Sequence, residues 1–158
     1  IELEASLRMN EFFLNGGLTW TDAEISKDDI SPANEGNTPR RQADVVYQLT
    51  GGYAAANWTV GANVIGTSDA YAQDNNQLVM PGYTQVNLFA DYRFAENWVV
   101  GLNVNNLFDT FGITESEEGG IVANTENIIR ARSIPGRSAS LSVRHEFSAR
   151  RHAPQAGP

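Results

Sequence analysis

The stretch YTQVNLFADYRFAENWVVGLNVNNLFDT, Tyr83 to Thr110, decides the fold. It consists of two alternating runs joined by the short polar break Ala95-Glu96-Asn97. In the first run Val86, Leu88, Ala90, Tyr92 and Phe94 share one face, while Gln85, Asn87, Asp91 and Arg93 share the other, with Phe89 as the exception. In the second run Trp98, Val100, Leu102 and Val104 stand opposite Gly101, Asn103 and Asn105. Period-two alternation of this length is a strand signature, because successive side chains point to opposite faces of a strand. The apolar face carries no charge and ends in bulky aromatics beside the turn. A hairpin with one face in lipid and the other in water has this pattern. A soluble antiparallel sheet with one solvated face gives the same alternation.

The rest of the chain repeats the pattern. Ile1, Leu3, Ala5 and Leu7 alternate with Glu2, Glu4, Ser6 and Arg8. After the break at Asn10-Glu11 come Phe12, Leu14, Gly16, Leu18 and Trp20. A third run over about Gln42 to Tyr53 places Val45, Tyr47, Leu49 and Tyr53 on one face. A fourth places Trp58, Val60, Ala62 and Val64 there, and the last run, Ile134 to Phe147, makes a seventh strand. Polar loops are expected at Ser26 to Pro39, Tyr71 to Pro81 and Glu115 to Arg132, where Asp, Asn, Ser, Gly, Pro and charged residues replace the alternation. Short and long connections therefore alternate, as in outer-membrane barrels.

Aromatics mark both ends of these strands. Phe12, Tyr53, Trp58, Phe94, Trp98 and Phe147 lie beside short turns or at the end of the last strand, and Trp20, Tyr83 and Phe108 lie near long loops. Phe12 and Trp20 should stand roughly 20 Å apart along a strand tilted by ~40°, close to the height of a lipid-facing band.

Tyr92-Arg93-Phe94, the Asn105 to Asp109 segment NNLFD and the final GRSASLSVRHEF, Gly136 to Phe147, occur in that order. In wording and order they resemble the C-terminal strands of TonB-dependent outer-membrane transporters, and the resemblance extends over nearly the whole chain to Phe147. It implies an all-β fold: a transmembrane antiparallel β-barrel segment of about seven strands, the C-terminal part of a larger plugged barrel of about 22. Residues 1–147 would be barrel strands and residues 148–158 a polar tail, expected to be disordered. The chain opens inside an alternating run without an initiator methionine or signal peptide, so it is expected to be a piece of a longer protein.

The resemblance also implies function: energised uptake of a scarce ligand, such as an iron–siderophore complex, across the bacterial outer membrane. The implied partners are outer-membrane lipid, the missing N-terminal plug and barrel strands, the barrel-assembly machinery, and TonB only through the missing plug. Ala139, Leu141, Val143, His145 and Phe147 look like the C-terminal signal read by that machinery, although family members usually end at the aromatic whereas this chain continues to Pro158. The alternative is a small stand-alone outer-membrane barrel with a structural or adhesive role. A soluble lipocalin-like binder, with its apolar row turned inward, is a third reading.

Composition narrows the classes further. Hydrophobic residues make up 41% of the chain but are dispersed, and no run approaches the ~20 residues of a membrane helix. The formal charge of −8 speaks against nucleic acid, whose phosphates require a basic footprint. No cysteine is present, which removes disulfides and thiolate metal sites. His145 and His152 are the only histidines; nothing near them marks a nucleophile and an orienting group, so no enzyme activity, cofactor or catalytic residue is expected. Glu115, Glu117 and Glu118, with Asp109 nearby, could offer oxygen ligands to a hard cation. Spacing within a loop fixes no ligand geometry, so a solvated acidic loop is the preferred reading and no metal site is assigned. The polar row Glu2, Glu4, Arg8, Gln48, Asn63, Gln85, Asn87, Asp91, Arg93, Asn103 and Asn105 should line the inner wall. Gly16, Gly17, Gly51 and Gly52 should mark bulges or close backbone approaches.

Overall fold

The computed structural model describes residues 1–117 and 128–147. The chain begins with β1 (Glu2–Met9) and β2 (Phe12–Trp20), followed by a loop with one short 3-10 turn, Pro32–Asn34. Next come β3 (Val45–Ala54) and β4 (Trp58–Thr67), then β5 (Ala70–Tyr71) and β6 (Val79–Met80), a small hairpin within the second long loop. β7 (Tyr83–Ala95) and β8 (Trp98–Asn105) form the central hairpin. β9 (Ile113–Ser116) and β10 (Ala131–Ser133) pair at the base of the third loop, and β11 (Ser138–His145) closes the series. Seven of these strands form one sheet in the order β1-β2-β3-β4-β7-β8-β11, and every pair in it is antiparallel.

The register carries each apolar row across the sheet. Leu18 pairs with Leu3 and Tyr47, Leu49 with Val64, Val64 with Val86, Leu88 with Val104, and Leu102 with Leu141. Directly opposed residues share a face, so this register puts the apolar rows expected from the sequence on one continuous surface. Among the described residues no second layer covers it. Trp58 is 50% exposed, Leu102 46% and Leu49 45%, although all three lie on interior strands. Among the described residues the buried apolar side chains are Ala72, Met80 and Val99. A water-soluble sheet would bury such a face against another element. A single layer with one apolar and one polar face is suited to a barrel wall between lipid and water.

The short turns are built by local chemistry. Asn10 takes a left-handed backbone (φ 53) in the two-residue link between β1 and β2, which suits asparagine better than most residues. At the β7–β8 turn the register shifts between Arg93 and Ala95, making a bulge that frees Phe94 from the ladder. Of the four glycines expected to mark bulges or close backbone approaches, none coincides with a register shift, and Gly52 permits a close approach. A Cβ there would lie 2.5 Å from the Val60 carbonyl oxygen and 2.6 Å from Cζ of Phe13.

Two expectations need correcting. Tyr83 pairs with Thr67 in the register of the polar face, so it is not part of a lipid-facing girdle. The second and third long loops are not wholly irregular, because β5–β6 and β9–β10 form within them.

Candidate functional site: the polar wall and the loop mouth

The polar row forms a bonded wall. Asn63 Nδ2 donates to Thr50 Oγ1 (2.8 Å) and Asn87 Nδ2 donates to Asn63 Oδ1 (3.2 Å), so an amide ladder crosses β3, β4 and β7. Asn87 Oδ1 also accepts from Gln85 Nε2 at 2.7 Å and from the Asn106 backbone at 2.9 Å. Asp91 and Ser142 lean over Gly101, where an added Cβ would meet their oxygens at 2.7 and 2.8 Å. Arg93 bonds the Glu96 carbonyl and faces Glu146 at 3.9 Å. Much of this wall is thus satisfied by its own neighbours, and Asn63, Asn87 and Arg93 have structural partners. Glu2, Glu4 and Gln48 instead rim a depression of about 360 Å³ over Gly17.

The NNLFD segment is a latch. Asn106 is 1% exposed and left-handed (φ 50). Its Nδ2 donates to the carbonyls of Thr110 and Pro135, and its Oδ1 accepts from the Thr110 backbone. Asp109, also left-handed, accepts from the Arg137 backbone at 2.7 Å. Together they fix where the chain leaves β8 and where it re-enters the sheet at β11. The sequence showed the motif but not this role, because the partners that tie it to β11, Pro135 and Arg137, lie 29 residues beyond Asn106 and 28 beyond Asp109.

At the long-loop end, three loops are tied into one body. Asn37 Nδ2 donates to the Asp74 carbonyl, the Thr38 backbone to Asn76 Oδ1, the Arg40 backbone to Asp74 Oδ1, and Asn76 Nδ2 to the Thr38 carbonyl. Arg41 joins all three loops: its backbone N–H donates to the Tyr71 carbonyl, and its guanidinium reaches the Ser116 carbonyl and the Glu115 carboxylate. Within the first loop Asp28 is held below the usual carboxylate range. The Ser31 backbone N–H is the main cause, with the Asn34 amide next and the Ile30 N–H also contributing. Glu115 and Glu117, considered above as oxygen ligands, face Arg41, Arg132 and Arg130 instead. Glu118, His152 and the tail from Ser148 to Pro158 lie outside the described residues.

At the short-turn end aromatics line the apolar face. Phe12 meets Tyr53, Trp58 stacks on Tyr92, and Phe94, Trp98, His145 and Phe147 form a continuous row. Ala139, Leu141, Val143 and His145 lie beside Val104, Leu102, Val100 and Trp98. Phe147 is 89% exposed, its ring 4.3 Å from that of His145. The His145 ring lies between those of Trp98 and Phe147, 4.4 Å from the first and 4.3 Å from the second.

The family model described as TonB dependent receptor-like, beta-barrel, matches residues 1–107. The metal-pseudopaline receptor CntO of Pseudomonas aeruginosa (strain UCBPP-PA14) is 33% identical over 101 residues, which are 61% of this chain and 14% of that receptor. Among solved structures, the siderophore receptor PiuA from Acinetobacter baumannii superposes with a TM-score of 0.81 at 23% identity, over 92% of this chain and 21% of that one. The ferric yersiniabactin uptake receptor FyuA from Yersinia pestis does so with a TM-score of 0.75 at 19% identity, over 93% and 23%. This chain therefore spans less than a quarter of the length of each of these relatives.

Proposed function

Because the chain belongs to the TonB dependent receptor-like β-barrel family, we propose that it forms the C-terminal strands of an outer-membrane transporter that takes up a scarce metal complex, such as an iron–siderophore. The observation that carries this reading is the uncovered apolar face across seven strands, backed by a polar wall. Lipid covers the first and an aqueous, plugged interior faces the second. The remaining strands of a barrel of about 22 and an N-terminal plug complete the transporter, and TonB acts through that plug. Residues 1–147 belong to the barrel and 148–158 form a tail. The family is one of receptors and transporters, and this chain's part is to build wall and mouth. The long loops face outward and the aromatic row at the short-turn end faces the periplasm. The row Ala139, Leu141, Val143, His145 and Phe147 serves as the signal recognised by the assembly machinery, since an exposed strand edge can receive a further strand.

The test uses the full-length receptor in cells stripped of other uptake routes. Uptake of radiolabelled iron chelates should depend on the receptor and stop when TonB is removed or the proton-motive force is dissipated. In the same cells a cysteine at Ser31 should react with an impermeant thiol reagent and one at Glu96 should not. Uptake that persists without TonB would make the barrel a passive pore, and labelling only at Glu96 would invert it.

A further inference from the structure

The sheet has almost no interior, but the long loops do. Among the described residues six other than glycine are buried, and four of them lie in the loops: Ala72, Gln73 and Met80 in the second and Ser116 in the third. The second loop, residues 68–82 between β4 and β7, folds on itself through β5–β6 and the bond from the Ala72 N–H to the Leu78 carbonyl. The first loop, residues 21–44 between β2 and β3, has its own order. The Ile25 N–H donates to the Asn37 carbonyl, the Gly36 N–H to the Ile25 carbonyl and the Asn34 N–H to the Ser31 carbonyl.

One side chain joins these two bodies at the centre of their seam. The Asn76 amide accepts from the Thr38 N–H at 3.0 Å and donates to the Thr38 carbonyl at 2.8 Å. A residue of a neighbouring antiparallel strand would make the same two bonds. The amide is held in place by its own loop, because Nδ2 and the Asn76 backbone N–H both donate to the Gln73 carbonyl, at 3.2 and 3.1 Å. Its backbone is left-handed (φ 53), a conformation asparagine tolerates better than most residues. On either side Asn37 Nδ2 donates to the Asp74 carbonyl at 2.8 Å, the Arg40 N–H to Asp74 Oδ1 at 2.9 Å and the Arg41 N–H to the Tyr71 carbonyl at 2.6 Å. We propose that Asn76 is a positioning residue that fixes the first long loop on the second before any ligand arrives. The two loops then form one preset side of the mouth, and closure over a ligand falls to loops of the strands outside this chain. The joined loops stand on the seam alone; their effect on a ligand rests on the uptake reading above.

The physical consequence is preorganisation. Fixing a free loop costs conformational entropy for every residue ordered, and a ligand that must do this binds more weakly for it. Here the seam orders the loop when the protein folds, so the ligand meets a surface already in place. Asn76 is suited to this because one amide offers both a donor and an acceptor. An aspartate there would keep the acceptor and the tolerance for a left-handed backbone but lose both donor bonds, setting a carboxylate against two carbonyls. A glycine would keep only the backbone.

The test uses the full-length receptor in outer-membrane vesicles, with spin labels on Ser31→Cys and Gln77→Cys, two exposed positions outside the seam. Without ligand the distance between the labels should form one narrow distribution. Asn76→Asp and Asn76→Gly should each broaden it while heat-modifiable gel mobility stays the same. In Asn76→Gly the Thr38 amide should exchange at least about tenfold faster, whereas the Ile25 amide, whose acceptor is in its own loop, should keep its protection. A broad distribution in the unaltered seam overturns the proposal, as does a narrow one in both variants. Loss of Ile25 protection overturns it too, since Asn76 would then hold the first loop folded and not merely in place. The functional arm offers cells ferric citrate, a ferric tris-catecholate and a ferric trihydroxamate in turn. For the chelate taken up, Asn76→Gly should raise the half-saturating concentration by about fivefold, the worth of roughly one hydrogen bond, with the maximal rate unchanged. That chelate should leave the label distance in the unaltered seam where it was. An unchanged half-saturating concentration, or a distance that shifts with the chelate, overturns the preset mouth. If no chelate is taken up, the uptake reading fails, while the distances still decide whether the loops are joined.

Discussion

Gly52 and Gly61 face each other across β3 and β4 on the polar side of the sheet, and each lies beneath a phenylalanine ring. Phe13 covers the first and Phe89 the second. This explains why Phe89 breaks the alternation of its strand: the ring lies over backbone that carries no side chain. At Gly61 an added Cβ would lie 2.4 Å from Phe89 Cζ and 2.5 Å from the Gly51 carbonyl oxygen. The ring can swing away, but the carbonyl belongs to the ladder and cannot. Gly61→Ala should therefore lower stability by about 1–3 kcal/mol, the usual range for overpacking, and adding Phe89→Ala should not restore it. The measurement is the temperature or denaturant midpoint at which heat-modifiable mobility is lost in the full-length receptor. Full rescue by Phe89→Ala would mean that the ring alone made the close contact.

The strands were legible in the sequence because a sheet with one wet face imposes a period of two. The register then had to match row to row, or apolar residues would be carried to the wrong side. Less visible were elements whose cause lies elsewhere in the chain. β5–β6 and β9–β10 are two to four residues long, too short for any period to register. The joining role of Arg41 depends on Ser116, 75 residues away; the direction of Tyr83, by contrast, follows from its own strand, where it shares the phase of Gln85 and Asn87. Two predictions belong to single elements. Arginine at Leu88 or Leu102 should cost about 2–4 kcal/mol near the membrane midplane, and arginine at Asn87 or Asn103 far less. Equal damage on both faces would mean that the sheet is covered on both sides. On β11, Phe147 ends the aromatic row beside His145, where rings prefer the membrane interface. Phe147→Ala in the full-length receptor should reduce the amount recovered from purified outer membranes, whereas Glu146→Ala, on the opposite phase, should change it little. Normal recovery of the Phe147 variant would place the assembly signal elsewhere.

The sheet as a whole has two open margins, β1 and β11, at the ends of the strand order. Each is eight residues long. In an antiparallel strand alternate residues direct both their N–H and C=O groups away from the paired neighbour, so each margin presents on the order of eight unpaired groups. In hydrocarbon such groups cost several kcal/mol apiece. Even at ~2 kcal/mol each, one margin costs roughly 16 kcal/mol, above the ~5–15 kcal/mol by which folded domains are stable. The apolar face requires lipid, and the margins do not tolerate it. Expressed by itself in detergent or lipid, this chain should therefore aggregate or pair edge to edge into larger assemblies. A discrete, heat-modifiable species should form only when the other strands of the barrel are supplied in trans. The measurements are size on a calibrated column with detergent mass subtracted, and amide exchange along β1 and β11. In the isolated chain those margin amides should exchange freely, and supplying the partner strands should protect them. A monodisperse monomer with both margins protected would show that the sheet closes on itself, making the chain a small complete barrel instead of part of a larger wall.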